Sequence, residues 1–437
     1  MIFHTMRNHA LAGLLTVGLL VCSAGAENWP QWRGPHLNGS SESKNLPAKL
    51  DASTQSWSVQ LPGVSSGTPI VWGDRIFLTG IDDSTKKLLA MCLSRRDGHM
   101  LWKKEVGEGF IHNDRNNLAA PSAITDGKLA WFYYGSGDLA AFDIDGNQKW
   151  ARNIQKDYGP FHMNWIYGSS PLLFDGKLYV QVLHRDVPVR GPKDGSPGDS
   201  YLLAVNPETG QTIWRVVRPN NALEESKESY STPIATTFNG KGEVLLIGGD
   251  AITASDAQTG KELWRVADWD SRHGRNNRTI PSLVAGDGLV FACPSRNQPV
   301  CAIRDGGSGN VSQTNIAWRD KGLLSDVCVP LIYNDHLYVL DGDRKTLSCV
   351  EPQTGKILWS GSLGGRAVFR ASPTGADDKI YCMNEAGEVW VLAADEFKIL
   401  SQSTLGGRPS RGSIAVVDGQ VFVRAGDKLY AFEKKTL

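Results

Sequence analysis

An all-β fold of repeated four-stranded units closed into a ring is what this sequence predicts, and three observations carry the prediction. Tryptophan recurs at positions 57, 102, 150, 214, 264, 318 and 359, a mean interval of about 50 residues, which suits a propeller blade better than a short solenoid repeat. Glycine stands four residues before the tryptophan at Gly98, Gly146, Gly210, Gly260 and Gly355. Between these marks, runs that alternate apolar and polar residues are joined by Asp-Gly and Asn-Asp pairs, the residues that tolerate the positive φ of a tight hairpin turn. Together they predict an eight-bladed β-propeller of four-stranded antiparallel blades.

Each unit reads in the same order. It opens at a proline, often preceded by Ser or Thr: Pro69, Pro121, Pro171, Pro233, Pro281, Pro330 and Pro373. An inner strand follows, then a tight turn such as Asp126-Gly127, Asp175-Gly176 or Asp418-Gly419. The second strand alternates, as in KLYVQV (177–182) and HLYVLD (336–341), and the third carries a small-residue core, as in YLLAVN (201–206). The glycine turn then leads into the tryptophan strand. The tryptophans are read as structural, since a ring that buries roughly 150–250 Å² can seal a seam between blades over the glycine turn. An eighth unit begins at Ser413-Ile414 with room for three strands, near 413–417, 420–424 and 428–432. Trp57, conversely, lies on a lone strand, SWSVQL (56–61), with no hairpin before it. The N-terminal strand is therefore expected to complete the C-terminal blade, which leaves no sheet edge open. The unit at 372–400 has lost its tryptophan, with Phe397 and Leu400 near the equivalent place.

Composition agrees with a folded, exported chain. The hydrophobic fraction is 41% and the charged fraction 21%, and 47 glycines and 21 prolines are spread along the chain as turn residues rather than gathered in a low-complexity tract. At the N-terminus, Arg7 precedes a short apolar run from Ala10 to Cys22, and Ala24-Gly25-Ala26 offers small residues for cleavage after Ala26. Residues 1–26 are thus read as a signal peptide, 27–55 as an N-terminal extension and 56–437 as the propeller, with the mature protein periplasmic or extracellular. The apolar run is too short for a spanning helix, which needs about 20 residues, so no transmembrane segment is expected. Val21 is bulkier than the small residue that precedes a lipidated cysteine, which disfavours anchoring through Cys22.

Cleavage removes Arg7 and no acid, leaving 45 basic against 46 acidic residues. That balance gives no field for nucleic acid or an anionic membrane. Six cysteines remain, too few for a disulfide-built scaffold. Cys293 and Cys301 flank PSRNQPV in one hairpin and are the one pair expected to meet; Cys92 and Cys349 take the place of Ala140, Ala204 and Ala254 and are read as small core residues.

The segment ASDAQTGKELW (254–264) matches, at every defined position, the tryptophan-docking repeat Ala-x-Asp-x-x-Thr-Gly-x-x-x-Trp of pyrroloquinoline quinone (PQQ) dehydrogenases. AVNPETGQTIW (204–214) departs at Asn206, and CVEPQTGKILW (349–359) at Cys349 and Glu351. The chain therefore resembles the PQQ-like repeat family over 57–432. It is similar to secreted bacterial members, whose openings NWPQWRGPHLNG (28–39) resembles, and to the outer-membrane assembly lipoprotein propeller. The resemblance implies a propeller without fixing an activity, because that lipoprotein resembles the repeat without binding a quinone. Quinoprotein alcohol dehydrogenases also carry adjacent cysteines over the cofactor and a calcium ion held by Glu and Asn beside an Asp base. This chain has no Cys-Cys pair and no Cys-x-x-Cys-His haem site. Glu228, Asn277 and Asp326, just before the inner strands of three successive blades, are what the resemblance offers as a calcium and PQQ set.

The loops leading into the inner strands share one face with those joining second to third strands, and the irregular sequence gathers there: GFIHNDRNNLAA, YGPFHMNWIYGSS, NNALEESKESYST, DSRHGRNNRTI and the insertion 184–199. Three residues before each strand-opening proline stand Ser66, Leu118, Gly168, Tyr230, Arg278, Val327 and Arg370, with Arg411 equivalent in the last blade. Arg278, Arg370 and Arg411 are expected to converge near the axis, where planar guanidiniums suit an anion; the alternative is that each pairs with a neighbouring acid. His112 and His162 share another repeat position, nine residues before the proline, in adjacent blades. The motifs of zinc proteases, phosphate-binding loops and serine hydrolases are absent. The expected function is a binding or scaffolding module acting through the funnel face on an anionic small molecule, a saccharide or a protein partner, with no cofactor. A PQQ-dependent oxidoreductase of alcohol or sugar is the alternative, and a carbohydrate-active hydrolase or lyase a third for which no motif speaks.

Overall fold

A computed structural model describes residues 27–109, 111, 115–189, 198–267, 274–294 and 298–435. Eight antiparallel sheets follow one another around a ring. Blade 1 comprises Ile70–Trp72, Arg75–Ile81, Lys87–Ser94 and Met100–Glu108, paired in that order from the axis outward. Blades 2 to 7 repeat the plan, with inner strands Ile124–Thr125, Leu172–Phe174, Ile234–Phe238, Val284–Gly286, Leu331–Tyr333 and Thr374–Ala376. Blade 8 takes Ala415–Val417, Gln420–Ala425 and Lys428–Glu433 from the C-terminus, and Gln55–Gln60 pairs antiparallel with the last of these as its outer strand. The ring is closed as the lone tryptophan strand predicted.

Local chemistry explains the repeat. At the inner hairpins two-residue turns join Phe174 to Lys177 and Val417 to Gln420, and Asp175 and Asp418 hold φ of 47° and 46° beside their glycines. At the outer hairpins of five blades the tryptophan docks on the glycine turn of the next. Trp57 Nε1 donates to the Arg95 carbonyl at 3.0 Å and Trp214 Nε1 to that of Gln258 at 2.9 Å. The ring lies where a side chain on the glycine would sit: a Cβ added to Gly98, at φ +75°, would stand 2.6 Å from Trp57. Trp102, Trp150 and Trp318 dock the same way. Two tryptophans do not: Trp264 is fully buried with its N–H on Glu243 Oε2 at 3.0 Å, where the segment Gly309–Asn310 of blade 5 lies beside its strand, and the Trp359 indole N–H has no hydrogen-bond partner among the described residues. In blade 7 Phe397 packs against Trp359 of blade 6, so the lost tryptophan sits in a blade whose outer strand is Ile399–Thr404.

The expected Cys293–Cys301 bond is not formed. Ala292, not Cys293, lies opposite Cys301 in the ladder. Side chains alternate along a strand, so the one-residue offset sends the two thiols to opposite faces of the blade. Cys301 packs toward blade 4 with Leu245 and Trp264, and Cys293 toward blade 6 with Leu337 and Val339. All six described cysteines are free and buried, Cys92 and Cys349 among them.

The extension 27–55 is part of the propeller rather than an appendage. Trp29 exchanges backbone hydrogen bonds with Val71 of blade 1 at 2.8 and 2.9 Å, and the Pro30 carbonyl accepts from Thr125 of blade 2. Across the ring, Asn38 accepts from Ile332 of blade 6, Gly39 and Ser41 pair with Gly375 of blade 7, and Leu37 packs beside Phe174 and Ala235 of blades 3 and 4. A segment that touches inner strands on all these sides occupies the axial channel. Its anchor is Arg33, fully buried, donating to the carbonyls of Pro330 and Pro373 at 3.0 Å each and of Asn38 at 3.2 Å. Burial lowers the Arg33 pKa to about 9. Gly39, at φ +90°, leaves the space its guanidinium fills. Residues 46–48 then bond to Asp377, Tyr381 and Ser401 of blade 7 as the chain runs out to the strand that closes blade 8.

Among the described residues no helix is long and apolar enough to cross a membrane. The predicted signal peptide lies outside them.

Candidate functional site

The strand-opening sequences Ser/Thr-Pro build the rim of the axis. The backbone N–H of Thr68 donates to the Ser122 hydroxyl at 3.0 Å, Ser122 to Ser170 at 2.9 Å, Ser170 to Thr232 at 2.9 Å and Thr232 to Ser282 at 2.7 Å. Val329 to Ser372 joins blades 6 and 7 and Ser413 to Thr68 joins blades 8 and 1 in the same way, while the Thr374 hydroxyl donates to the Ile414 carbonyl at 2.7 Å between blades 7 and 8. Above this rim the leading loops enclose a cavity of about 500 Å³. Seven of the eight residues at the repeat position three before the proline line it: Ser66, Gly168, Tyr230, Arg278, Val327, Arg370 and Arg411. Leu118, the eighth, is buried in the core. Trp32 of the axial plug contributes to the lining, so the cavity is closed behind and opens at the funnel.

The three arginines share this cavity, and each has a carboxylate. Arg278 makes a two-pronged contact with Asp326, at 3.2 and 3.0 Å. Arg370 Nη2 donates to Asp343 at 2.7 Å, and Arg411 Nε to Glu385 at 2.5 Å. The last two pairs repeat one geometry: an acid between the second and third strands of one blade meets an arginine leading into the next. The near-equal spacing is the sequence signal of these acids: Asp343 and Glu385 stand 27 and 26 residues before their arginines. Arg411 also donates to the Arg115 carbonyl.

The other side of the cavity is aromatic. The Trp165 backbone N–H donates to the Tyr230 hydroxyl at 3.0 Å, and its indole N–H to Glu225 at 3.1 Å. Behind Tyr230 lies Glu228, wholly buried; it accepts from Tyr230, from Arg185 and from the Asn164 amide at 3.0 Å, while burial pushes its pKa upward. His162 is also buried, packed on His184 with ring centres 5.2 Å apart. His184 accepts from the His162 amide at 2.9 Å and bonds the Asp199 carbonyl at 2.8 Å; burial lowers its pKa to about 4. His162 thus serves loop packing, and His112 lies outside the described residues.

Glu228, Asn277 and Asp326 do not present an open cation site. Glu228 is taken by Arg185 and Tyr230, and Asp326 by Arg278. The Asn277 amide donates to Ser226, and Asn276 rather than Asn277 lines the cavity. A cation there would compete with two guanidiniums. As they stand, these residues do not fit calcium with its quinone.

Residues 43–160, 198–303 and 308–398 match the family described as outer membrane protein assembly factor BamB, the PQQ-like propeller repeat family. The chain belongs to this family. Among curated proteins, this PQQ-like propeller is 21% identical over 308 residues to a polyvinylalcohol dehydrogenase of Sphingopyxis sp. (strain 113P3), covering 62% of the chain but 45% of that relative, less than half its length. Among solved structures it is similar to a europium-containing methanol dehydrogenase, with a TM-score of 0.70, 11% identity and coverage of 93% and 98% of the two chains. It is similar also to BamB from Moraxella catarrhalis, with a TM-score of 0.57, 14% identity and coverage of 87% and 99%. At such identities the likeness shows the fold alone.

Proposed function

We propose that this PQQ-like propeller is an exported binding module whose ligand sits in the funnel cavity. The observation that carries the reading is the convergence of seven repeat-equivalent residues, three of them arginines, on one blind cavity of about 500 Å³. That volume falls within the range of small-molecule sites. The scaffold under it is rigid: hydroxyls tie neighbouring blades at its base, and a plug anchored by buried Arg33 closes the channel behind. Arg7 with the apolar run 10–22 supports export before folding.

The test is to bind ligands to wild type and to Arg370→Ala/Arg411→Ala. The expected outcome is a ligand-dependent rise in melting temperature for the wild type that the double variant loses. A rise that survives both substitutions would place the ligand elsewhere. A second reading, PQQ-dependent oxidation, has behind it the dehydrogenase names of two relatives. Mixing the protein with PQQ and calcium separates the two: bound-quinone absorbance with dye-linked alcohol oxidation would promote the oxidoreductase, and an unchanged spectrum is expected from the taken carboxylates.

A further inference from the structure

The arginines at one repeat position first suggest an anion, and their surroundings argue otherwise. Four guanidiniums line the cavity, those of Arg115, Arg278, Arg370 and Arg411, and so do four carboxylates, those of Glu225, Asp326, Asp343 and Glu385. The wall carries no surplus charge. Asp326 and Glu385 are themselves largely shielded from solvent, with side-chain exposures of 8% and 22%. An incoming anion would meet guanidiniums whose charge is already matched by carboxylates at 2.5–3.2 Å, and would have either to displace one of those acids or to sit beside it against like charge.

A hydroxyl group meets no such conflict. It donates and accepts at once, and each ion pair offers N–H and carboxylate oxygen side by side. Adjacent hydroxyls on a ring can bridge a guanidinium and its acid without separating them. Such groups compensate one another only where several are present, because each polar group that enters the cavity leaves its water. The remaining wall supplies apolar area for the ring itself: Trp32 from the plug, Trp165 and Tyr230. Trp165 is held by two hydrogen bonds, to Tyr230 and to Glu225, so its ring is positioned before a ligand arrives.

We infer that the funnel cavity binds a neutral, polyhydroxylated ligand of the saccharide class, its ring packed on Trp165 and Trp32 and its hydroxyls bridging the Arg370–Asp343 and Arg411–Glu385 pairs. This rests on the binding reading above. It differs in ligand chemistry from the anion that the arginines alone suggest.

The experiment is a thermal-shift and calorimetric screen of the full mature chain. One panel holds neutral mono- to tetrasaccharides in gluco, manno, galacto and xylo series; the other holds sulfate, phosphate, citrate and oligogalacturonate. The expected result is that at least one neutral saccharide binds with a shift in tryptophan fluorescence. Its affinity falls at least tenfold in Trp165→Ala, in Trp32→Phe and in Asp343→Asn, and is unchanged in Lys177→Ala on the opposite face. Asp343→Asn keeps the test valid if a tryptophan variant folds poorly, since Asp343 is half exposed. If only the anions bind, and Arg370→Ala abolishes it, the saccharide class is overturned while the funnel stands as the site. If a saccharide binds equally to all the funnel variants, both readings fall. If no neutral saccharide binds, the inference is overturned.

Discussion

The two faces of the ring are made by the same eight repeats and diverge in chemistry. On the outer-hairpin face the repeat is kept. Trp57, Trp102, Trp150, Trp214 and Trp318 each cover a glycine of the next blade and donate to a carbonyl there. On the funnel face one repeat position holds Ser66, Gly168, Tyr230, Val327 and three arginines. A docked indole needs one geometry and tolerates little change, because its partner is backbone plus the space left by a missing Cβ. A position facing an open cavity has no such partner, and its side chain is free to answer to a ligand. Uniformity therefore marks the face that holds the ring together, and variety the face that meets other molecules.

That contrast sets the order of expected effects. Trp102→Ala, which empties a docked ring, is expected to cost about 3–5 kcal/mol in chemical denaturation. A cost below about 1 kcal/mol would mean the docked face is not the main clasp. Arg33→Met tests the plug between the two faces. It leaves the Pro330 and Pro373 carbonyls without their donor, for an expected loss of about 3 kcal/mol with little change in overall fold by circular dichroism.

Acid probes the funnel-side loops. With His184 held near a pKa of about 4 by burial, against an ordinary value of about 6.5, the unfolded chain takes up a proton before the folded one does. Stability from this site is whole above about pH 6.5 and drains as the pH falls toward 4. His162 beside it lowers the value, while Asp186 and Asp199 raise it without overcoming burial. Denaturation midpoints followed from pH 7 to 4.5 should drop in the wild type, and the slope should flatten in His184→Asn. The smallest effect belongs to the ion pairs: Arg370→Ala is expected to change stability by less than about 1 kcal/mol, since Asp343 is half solvated, even as it alters the cavity. Separate measurement of stability and ligand binding in that variant shows whether the pair serves the fold or the site.

The blade plan was legible because its causes are local. An Asp-Gly turn, an alternating strand and a glycine four residues before a tryptophan each act within a few residues, and repetition multiplies a weak signal. The closing strand was legible by subtraction, since a three-stranded unit at one end and a lone strand at the other fit only together. The shared offset of Arg278, Arg370 and Arg411 likewise came from counting against the prolines, and the fold does bring them to one cavity. Cys293 and Cys301 failed because register, not proximity in a hairpin, decides which face a side chain takes; a shift of one residue separated them.

By itself, then, the sequence determined a closed eight-bladed ring, the face that keeps the repeat and the face that abandons it. Tertiary structure alone decided what fills the middle. Residues 28–41 carry no strand pattern, and their partners stand up to 375 residues away, as Val416 does from Ser41. It also decided the charge of the site, because whether an arginine seeks an anion depends on the carboxylates that other blades bring beside it. Local propensity is written in neighbouring residues, whereas a neutral cavity is a sum over eight blades that meet only at the axis.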